Sequence, residues 1–411
     1  MIHEMNHLIA RVPSRLPSFS TAFRNVQIYI LSTSMKETQA IPTVKKTKLE
    51  QTLPTSAYET SDTYSVCLDA HGHLDVFIPS PLGAQRNVGI DPSDSGEHSV
   101  TTSIPESVLQ YERQKRKTQA AKRASRSLDP SKLVTIHVDD DMIVVNKPSG
   151  FLSVPGINSN PNMLNLVYEK IGPKDKDMLM ENMIIHRLDM DTSGIIVFAR
   201  TKAAMLKLQG SFRDRETTKT YEALVVGHLS PKIESGRIEL PLQRDHRHPP
   251  FMRISTFQSE KDARQTVKDL NHAGYKKLMM KKPKPSTTEF MVKGREYWNG
   301  KPVTRLTLVP VTGRTHQLRV HCAAMGYPIV GDPAYGVMGE ASPCGGMRED
   351  LVREAMGRID MDFSVANEAL QVAVDALVKE NGQCMCLHAR ELQIEHPTDG
   401  QEITFKREPN F

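Results

Sequence analysis

The feature of this sequence that most constrains its fold is a series of short strand-like runs without a regular helix between them. The runs include GIIVFA, KTYEALVVG, GRIELPL, VTRLTLVPV and CLHARELQIEH. Parallel α/β sheets require a crossover helix between successive strands, whereas alternating apolar and polar residues are typical of sheets with one solvated face. We therefore predict an α+β fold in which helices flank a mixed, mainly antiparallel sheet.

The main domain is predicted to span residues 131–411. At its start, LVTIHV and MIVVNKP lie on either side of Asp139-Asp140-Asp141, which is a hairpin pattern. Two polar, helical stretches, near residues 260–284 and 336–383, interrupt the strand pattern. We interpret both stretches as insertions rather than as parts of the core.

The first 130 residues are predicted to lie outside that domain. Residues 1–34 contain one acid, Glu4, among arginines and hydroxyl residues, which is typical of a mitochondrial or other organellar transit peptide and equally of a disordered tail. Residues 35–130 form a mostly polar extension. It ends in a predicted basic helix, 105–128, which we interpret either as a solvated linker or as an arm that binds RNA phosphates.

Charge and cysteine content restrict the class of protein. Lys and Arg outnumber Asp and Glu by 53 to 48, which mildly favours an anionic partner. The five cysteines are scattered, and Cys384 and Cys386 lack the spacing of a zinc or redox pair. Reduced thiols in an intracellular compartment are therefore expected. No apolar run approaches the roughly 20 residues of a membrane helix, so no membrane partner is predicted.

The strongest candidate for chemistry is the stretch IIHRLDMDTSG, which ends at Gly194. Apolar residues on both sides predict a strand-loop-strand corner from His186 to Gly194, where rigid flanks can hold a polar side chain at a cleft. Its members suggest a metal site, a charge cluster, or one aspartate with a chemical role. Asp191 has no assigned role and is expected in a loop or at the surface, and His186 is interpreted as structural.

Two alternative chemistries are disfavoured. In a metal site His186, Asp189 and Asp191 could be joined by His316 and His321, but the last two are five residues apart, and a helix does not bring such residues onto one face. A serine hydrolase is disfavoured because Ser193 lies outside a G-x-S-x-G turn. The sequence has neither a P-loop nor a G-x-G-x-x-G loop, so no nucleotide cofactor is predicted.

The remaining interpretation is an aspartate beside a basic residue. An isolated Asp has a pKa of about 3.9, and a neighbouring guanidinium lowers it, so Asp189 would be a permanent carboxylate suited to nucleophilic or base chemistry. Taken alone, the stretch is also consistent with an Arg-Asp pair that only holds a loop. Arg314 follows a strand and precedes a helix, where it can reach across a cleft, and Tyr221 is either a core residue or a base-stacking one.

Taken together, these motifs resemble the RluA family of pseudouridine synthases. The motifs are HRLDxxTSG around Asp189, Tyr221 in its strand, and GRTHQLRVH from Gly313 to His321, accompanied by VVNKPSGFLSVPG, VGDPAYG and LHARELQIEHPTDGQEITF. Within the family the chain resembles the bacterial member that acts on both transfer RNA and large-subunit ribosomal RNA. The resemblance implies the pseudouridine synthase fold with a central RNA-binding cleft, and cofactor-free isomerisation of uridines in RNA.

The resemblance also implies roles for individual residues. Asp189 would act as a nucleophile at C1′ or as the base that starts a glycal route. Arg314 would pair with Asp189, and Tyr221 would pack on the uracil and help to remove the C5 proton. Arg187 would enter the RNA in place of the flipped nucleotide. Further contacts to RNA are expected from Arg319, Lys219, Arg113, Lys115 and Arg116.

The expected partner is RNA, either tRNA, rRNA or both. The protein is expected to act as a monomer, without a metal ion or a nucleotide cofactor. An RNA-binding or chaperone-like protein that keeps the fold without turnover is the alternative. The chain is placed in an organelle if residues 1–34 are a transit peptide, and otherwise in the cytoplasm or nucleus.

Overall fold

The structure is a computed structural model that describes residues 64–78, 129–156, 160–269, 281–359 and 365–411. The predictions for residues 1–34 and for the basic helix 105–128, with Arg113, Lys115 and Arg116, lie outside the described residues. Within the described ranges, no helix has the length and apolar character needed to cross a membrane.

One mixed sheet organises the described residues. Its strands are β1 Ser65–Leu68, β2 His73–Phe77, β3 Val134–Val138, β4 Met142–Lys147, β5 Ser193–Ala199, β6 Thr218–Val226, β7 Ser235–Glu239, β10 Thr287–Trp298, β11 Lys301–Pro310, β12 Leu387–Glu395 and β13 Glu402–Lys406. They lie in the order β1-β2-β7-β10-β11-β6-β12-β5-β4-β3, with β13 on β12. Among the strands of the described ranges, only β12 with β5 and β2 with β7 pair in parallel, so the predicted mixed, mainly antiparallel sheet is confirmed. A separate short hairpin pairs β8 Leu242–Arg244 with β9 Met252–Ile254.

Six α-helices accompany the sheet in the described ranges, as expected for an α+β fold. They are α1 Met163–Lys170, α2 Lys202–Asp214, α3 Phe257–Asp269, α4 Gln317–Ala324, α5 Glu349–Gly357 and α6 Glu368–Glu380. Side-chain oxygens of Asn162, Thr201 and Asn367 accept backbone N–H groups at the starts of α1, α2 and α6. These capping bonds explain where the three helices begin. Three 3-10 turns, Pro130–Lys132, Met180–Met183 and Pro343–Gly346, complete the set.

A hairpin before residue 131, the predicted start of the main domain, belongs to the same sheet. Strand β2 pairs in parallel with β7, and its Leu74 and Val76 are fully buried. The buried Tyr64 donates its hydroxyl to the carbonyl of Ala324 at 2.8 Å. The physical reason is a long-range pairing, in which the hairpin buries its apolar side chains against strands that are distant from it in the sequence.

The stretch predicted as an insertion at 336–383 packs into the core. Val352 on α5 shares a cluster with the central strands, and Val374 and Val378 on α6 pack with Leu224 and Val303. This segment is therefore part of the structural domain, contrary to its interpretation as peripheral. The other predicted insertion begins inside α3, and residues 270–280 within it lie outside the described residues.

Three segments of the fold meet at the centre of the sheet. Tyr221 on β6 lies opposite Leu308 of β11 and Ala389 of β12. Ala389 in turn pairs with Gly194 at the start of β5. Gly194 has φ +115°, and a Cβ there would come within 2.4 Å of the Ala389 carbonyl oxygen. Only glycine permits this approach, which brings the loop before β5 beside β6.

Candidate active site

The loop that carries Asp189 joins the Met180–Met183 turn to β5. The predicted corner is present, but its first flank is a 3-10 turn with one bridge, Ile184 to Phe198, rather than a strand. Ser153 holds the loop from behind, because its hydroxyl donates to the Leu188 carbonyl at 2.7 Å and accepts the Leu188 N–H at 3.1 Å. The Asp189 backbone is thereby fixed, while its side chain remains 27% exposed.

Two basic-capable side chains approach the Asp189 carboxylate. The Nη1 atom of Arg319 donates to Oδ2 at 3.3 Å, and Nε2 of His316 lies 4.0 Å from Oδ1. Burial alone would raise the pKa of Asp189, but the charges of His316, in its protonated form, and of Arg319 outweigh burial and hold the pKa below its usual value. Asp189 is therefore an ionised carboxylate at neutral pH.

Arg319, and not Arg314, is the ion-pair partner of Asp189, so the expected pairing is wrong. Arg319 lies in the first turn of α4 and faces the Asp189 loop. Arg314 precedes the helix, and its Nε donates instead to the Pro285 carbonyl at 3.1 Å. The start of α4 at Gln317 decides which arginine points at the carboxylate.

Arg319 is also unsuited to the direct RNA contact expected of it. Its side chain is 5% exposed and binds Asp332 through two hydrogen bonds, from Nε at 2.8 Å and Nη2 at 2.7 Å. Its guanidinium carbon also lies 5.2 Å from the centre of the Tyr335 ring. With these partners and its contact to Asp189, the guanidinium is buried and bound to protein groups, which disfavours the direct RNA contact expected of Arg319.

Tyr221 lies at the same site. Its ring packs against both large apolar clusters, which meet at this point of the sheet. Burial, together with the negative charge of Asp189, raises the pKa of the Tyr221 hydroxyl, which therefore stays protonated. The structure thus brings Asp189, Tyr221 and Arg319 together, and it places Arg314 outside this group.

Lys147 is a buried cation beneath the site whose position the sequence did not reveal. Its ammonium group is fully buried and donates to the carbonyls of Pro148, Phe151 and Met190 at 2.7–2.9 Å. Burial lowers its pKa to about 7, although the charges of Asp191 and Asp189 oppose this shift. Because Met190 directly follows Asp189, Lys147 ties the Asp189 loop to the segment after β4. In the sequence, Lys147 was noted only as part of the motif VVNKPSG.

Asp191 and His186, on the same loop as Asp189, are enclosed by other protein groups. Asp191 lies in the loop and is 5% exposed, so of the two expected environments it has the loop and not the surface. His186 accepts the Val197 N–H through Nε2 at 3.1 Å and stacks on Phe212 with ring centres 4.6 Å apart. Burial, and next the charge of Lys219, lower the pKa of His186 to about 3. These contacts make His186 a neutral structural residue.

The histidines considered as metal ligands have different partners. His316 contacts Tyr335, and His321 contacts Thr288 and the Leu240 carbonyl. Among the residues with a described placement, no three His, Cys, Asp or Glu side chains form a group suited to a metal ion.

Basic side chains occur on several segments around the site. Arg314 contacts the Pro285 carbonyl, and Lys284 exchanges two backbone hydrogen bonds with Leu242. The charge of Arg244, on β8, contributes to lowering the pKa of His316, which places it near the site. Arg187 is exposed on the Asp189 loop itself. Lys219 lies 5.3 Å from the centre of the Phe212 ring.

Comparisons with known proteins identify relatives of this chain. A family model described as RNA pseudouridylate synthase matches residues 141–324. The chain is 33% identical over 276 residues to the "Dual-specificity RNA pseudouridine synthase RluA" of Pasteurella multocida (strain Pm70), covering 67% of this chain and 93% of the relative. It is 35% identical over 280 residues to the protein of that name from Escherichia coli (strain K12), with 68% and 94% covered. The solved structure of "Human RNA Pseudouridylate Synthase Domain Containing 1" matches with 24% identity and a TM-score of 0.45, covering 70% of this chain and 87% of that one.

Proposed function

Because this chain belongs to the RluA family of pseudouridine synthases, we propose that Asp189 is the carboxylate that reacts with uridine in RNA. The protein is an RNA pseudouridine synthase, and its activity is an isomerisation. The observation that carries the role of Asp189 is its ionised, partly exposed carboxylate, paired with Arg319 on a loop held from behind by Ser153 and Lys147.

The arrangement fits both routes open to the aspartate. In the reaction the N1–C1′ bond of uridine breaks and a C5–C1′ bond forms, while C5 loses a proton and N1 gains one. Asp189 would attack C1′ as a nucleophile or remove a ribose proton as a base, and both roles need the ionised form. Arg319 binds Oδ2, which leaves Oδ1 for the chemistry. The protonated Tyr221 offers a flat ring beside the carboxylate on which the uracil can pack.

Arg187 is proposed to assist extrusion of the target nucleotide. It is exposed two residues before Asp189, so a nucleotide presented to the carboxylate passes close to its guanidinium. Unstacking a base costs a few kcal/mol, and a planar guanidinium that stacks in the gap offsets part of this cost. Lys219, also on β6, is proposed to contact the RNA backbone.

The basic rim made by Arg244, Lys284 and Arg314 is proposed to bind RNA phosphates. These three residues come from β8, the segment before β10 and the loop before α4. In the described part of the chain neither Lys284 nor Arg314 has an ion-pair partner, so their charges remain available to an anion. Phosphate contacts supply most of the sequence-independent affinity of RNA-binding proteins.

Replacing Lys284 and Arg314 together by alanine is expected to weaken RNA affinity and to reduce its salt dependence. Each lost phosphate contact should lower the slope of log affinity against log salt by about 0.7–0.9. The measurement is a titration of RNA at several salt concentrations, with single-turnover rates at saturating RNA unchanged. Lys207→Ala is the matched control, because Lys207 pairs with Glu395 at 2.9 Å away from this rim. An unchanged salt slope in the double variant would remove the rim from the RNA-binding surface.

Proposals for the substrate, the oligomeric state, the cofactor and the location follow from the relatives, the site and the sequence. We propose structured tRNA, rRNA or both as substrates, since the relatives carry dual-specificity in their names. Monomeric action without a nucleotide cofactor is proposed because one chain supplies Asp189, Tyr221 and Arg319. An organellar location is proposed from the arginine-rich, acid-poor composition of residues 1–34.

Mapping pseudouridines in total RNA from cells with and without this protein tests the function and identifies its targets. Specific sites should lose pseudouridine without the protein and regain it with the wild type but not with Asp189→Asn. Equal rescue by that variant would instead support the alternative of an RNA-binding protein without turnover.

A further inference from the structure

His316 adopts an unusual backbone conformation beside the reactive carboxylate. It has φ +54° and ψ +19° directly before α4, and its side chain makes no capping bond to the helix. The left-handed region is disfavoured for a residue with a Cβ, and such conformations persist where the surrounding contacts impose them. Gln317 imposes this one: its side chain accepts the Arg314 N–H at 3.0 Å and donates to the Thr287 carbonyl at 2.8 Å. The turn therefore aims the His316 ring at the site.

Tyr335 determines which nitrogen of His316 carries the proton. The Tyr335 hydroxyl accepts the Met252 N–H at 3.0 Å and lies 2.8 Å from Nδ1 of His316. Burial raises the pKa of Tyr335, so its hydroxyl keeps its proton, and the side chain is only 1% exposed. A buried hydroxyl proton needs an acceptor, and Nδ1 is the one within reach. His316 then carries its proton on Nε2.

The Nε2 atom of His316 faces the oxygen of Asp189 that Arg319 does not bind. It lies 4.0 Å from Oδ1, whereas Arg319 donates to Oδ2. Hydrogen bonds in catalytic sites commonly shorten when the substrate is in place. The two carboxylate oxygens thus have different partners, a buried cation on one side and a neutral N–H on the other.

We propose that His316 is a positioning residue: Tyr335 holds its neutral imidazole in the Nε2–H form, and this N–H orients Oδ1 of Asp189 for the reaction. The proposal rests on the proposed role of Asp189. A neutral donor orients the carboxylate and leaves its negative charge intact, which nucleophilic or base chemistry requires. An imidazolium at the same place would neutralise that charge and weaken Asp189 as a reactant.

The charged and titratable groups around His316 agree with a neutral ring. Burial lowers the pKa of His316, and the positive charges of Arg319 and Arg244 act in the same direction, against the charges of Asp189 and Asp332. The Tyr335 hydroxyl also favours the neutral form, because it can donate only to an unprotonated Nδ1. Removing this hydroxyl should therefore raise the pKa of His316 and move the acid limb of the rate profile towards neutral pH.

The tautomer can be measured without any activity assay. Nitrogen-15 NMR of the histidine rings, with His316→Gln used to assign the resonance, should give His316 in the Nε2–H form at neutral pH. In Tyr335→Phe the two tautomers should become mixed, and protonation should occur at higher pH. An Nδ1–H form in the wild type would overturn the proposal even if the enzyme is fully active, so this outcome is separate from any failure of the proposed function.

Kinetics distinguish positioning from a structural role. His316→Leu is expected to lower kcat about 10- to 100-fold with little change in KM, the range for loss of one hydrogen bond to a charged group. His316→Gln keeps an N–H donor and should recover most of this loss. His228→Gln is the matched control, because that ring binds the Glu296 carbonyl away from the site. Equal losses for His316→Leu and His316→Gln, or an acid limb that Tyr335→Phe does not move, would refute the positioning role.

Discussion

Asp189→Asn is expected to abolish pseudouridine formation while leaving the fold and RNA binding largely intact. The amide has the shape of the carboxylate and can still accept the Arg319 hydrogen bond. It has no negative charge and is neither a nucleophile nor a base. Losing such a group lowers rates by about a thousandfold or more in other enzymes. The measurement is a single-turnover assay on RNA carrying tritium at C5 of uridine, which is released when C5 bonds to C1′.

The control for this variant is the same substitution at an exposed aspartate. Asp140 is 76% exposed and pairs with Lys174 at 2.8 Å, so Asp140→Asn should retain wild-type turnover. Thermal unfolding and RNA titration should show that Asp189→Asn remains folded and binds its substrate. If Asp189→Asn released tritium at the wild-type rate, Asp189 would not be the reacting group.

The acid dependence of stability follows from the same carboxylate and from Asp332. Both have a folded-state pKa below the ordinary value, despite burial, because of Arg319 and further partners. A lowered pKa means that the stabilisation is fully present above the ordinary Asp pKa of about 3.9 and is lost as the pH falls through the folded-state pKa. The ion pairs of the site are therefore intact throughout the neutral range in which the enzyme would be assayed.

Local patterns in the sequence were sufficient to predict strands of the sheet and the loop that carries Asp189. The alternation around Tyr221 predicted β6, and the apolar runs beside His186 and Gly194 predicted a loop that presents Asp189. These features depend on neighbours within about ten residues. The resemblance to a known family then connected three such segments into one site.

Other features depend on contacts that no local pattern reveals. The choice of Arg319 over Arg314 follows from where α4 begins, and therefore from the turn that Gln317 fixes. Burial of Lys147 depends on a carbonyl from Met190, far along the chain. The hairpin that contains Leu74 joins the sheet by a parallel pairing with β7, which its own sequence does not indicate.

Breaking the Arg319–Asp332 pair is expected to cause the largest loss of stability at this site. Asp332 has a fully buried side chain and binds Arg319 at 2.7 and 2.8 Å, and its Oδ1 also accepts the N–H groups of Ala334 and Tyr335. Removing one partner of a buried ion pair leaves the other charge without compensation and costs about 3–5 kcal/mol. Asp332→Ala should therefore lower the free energy of unfolding by about this amount in a denaturant titration.

Asp332→Ala should also impair the reaction, because Asp332 positions Arg319. Without Asp332 the guanidinium loses the carboxylate that binds it through two hydrogen bonds, so it no longer holds Oδ2 of Asp189 in one place.

Arg319→Lys tests the geometry separately, because it keeps the positive charge and removes the planar guanidinium that binds both carboxylates. We expect Arg319→Lys to remain folded and to lose turnover, with RNA affinity unchanged. Full activity in Arg319→Lys would mean that charge alone is sufficient, and that the fixed orientation of Asp189 does not limit the reaction.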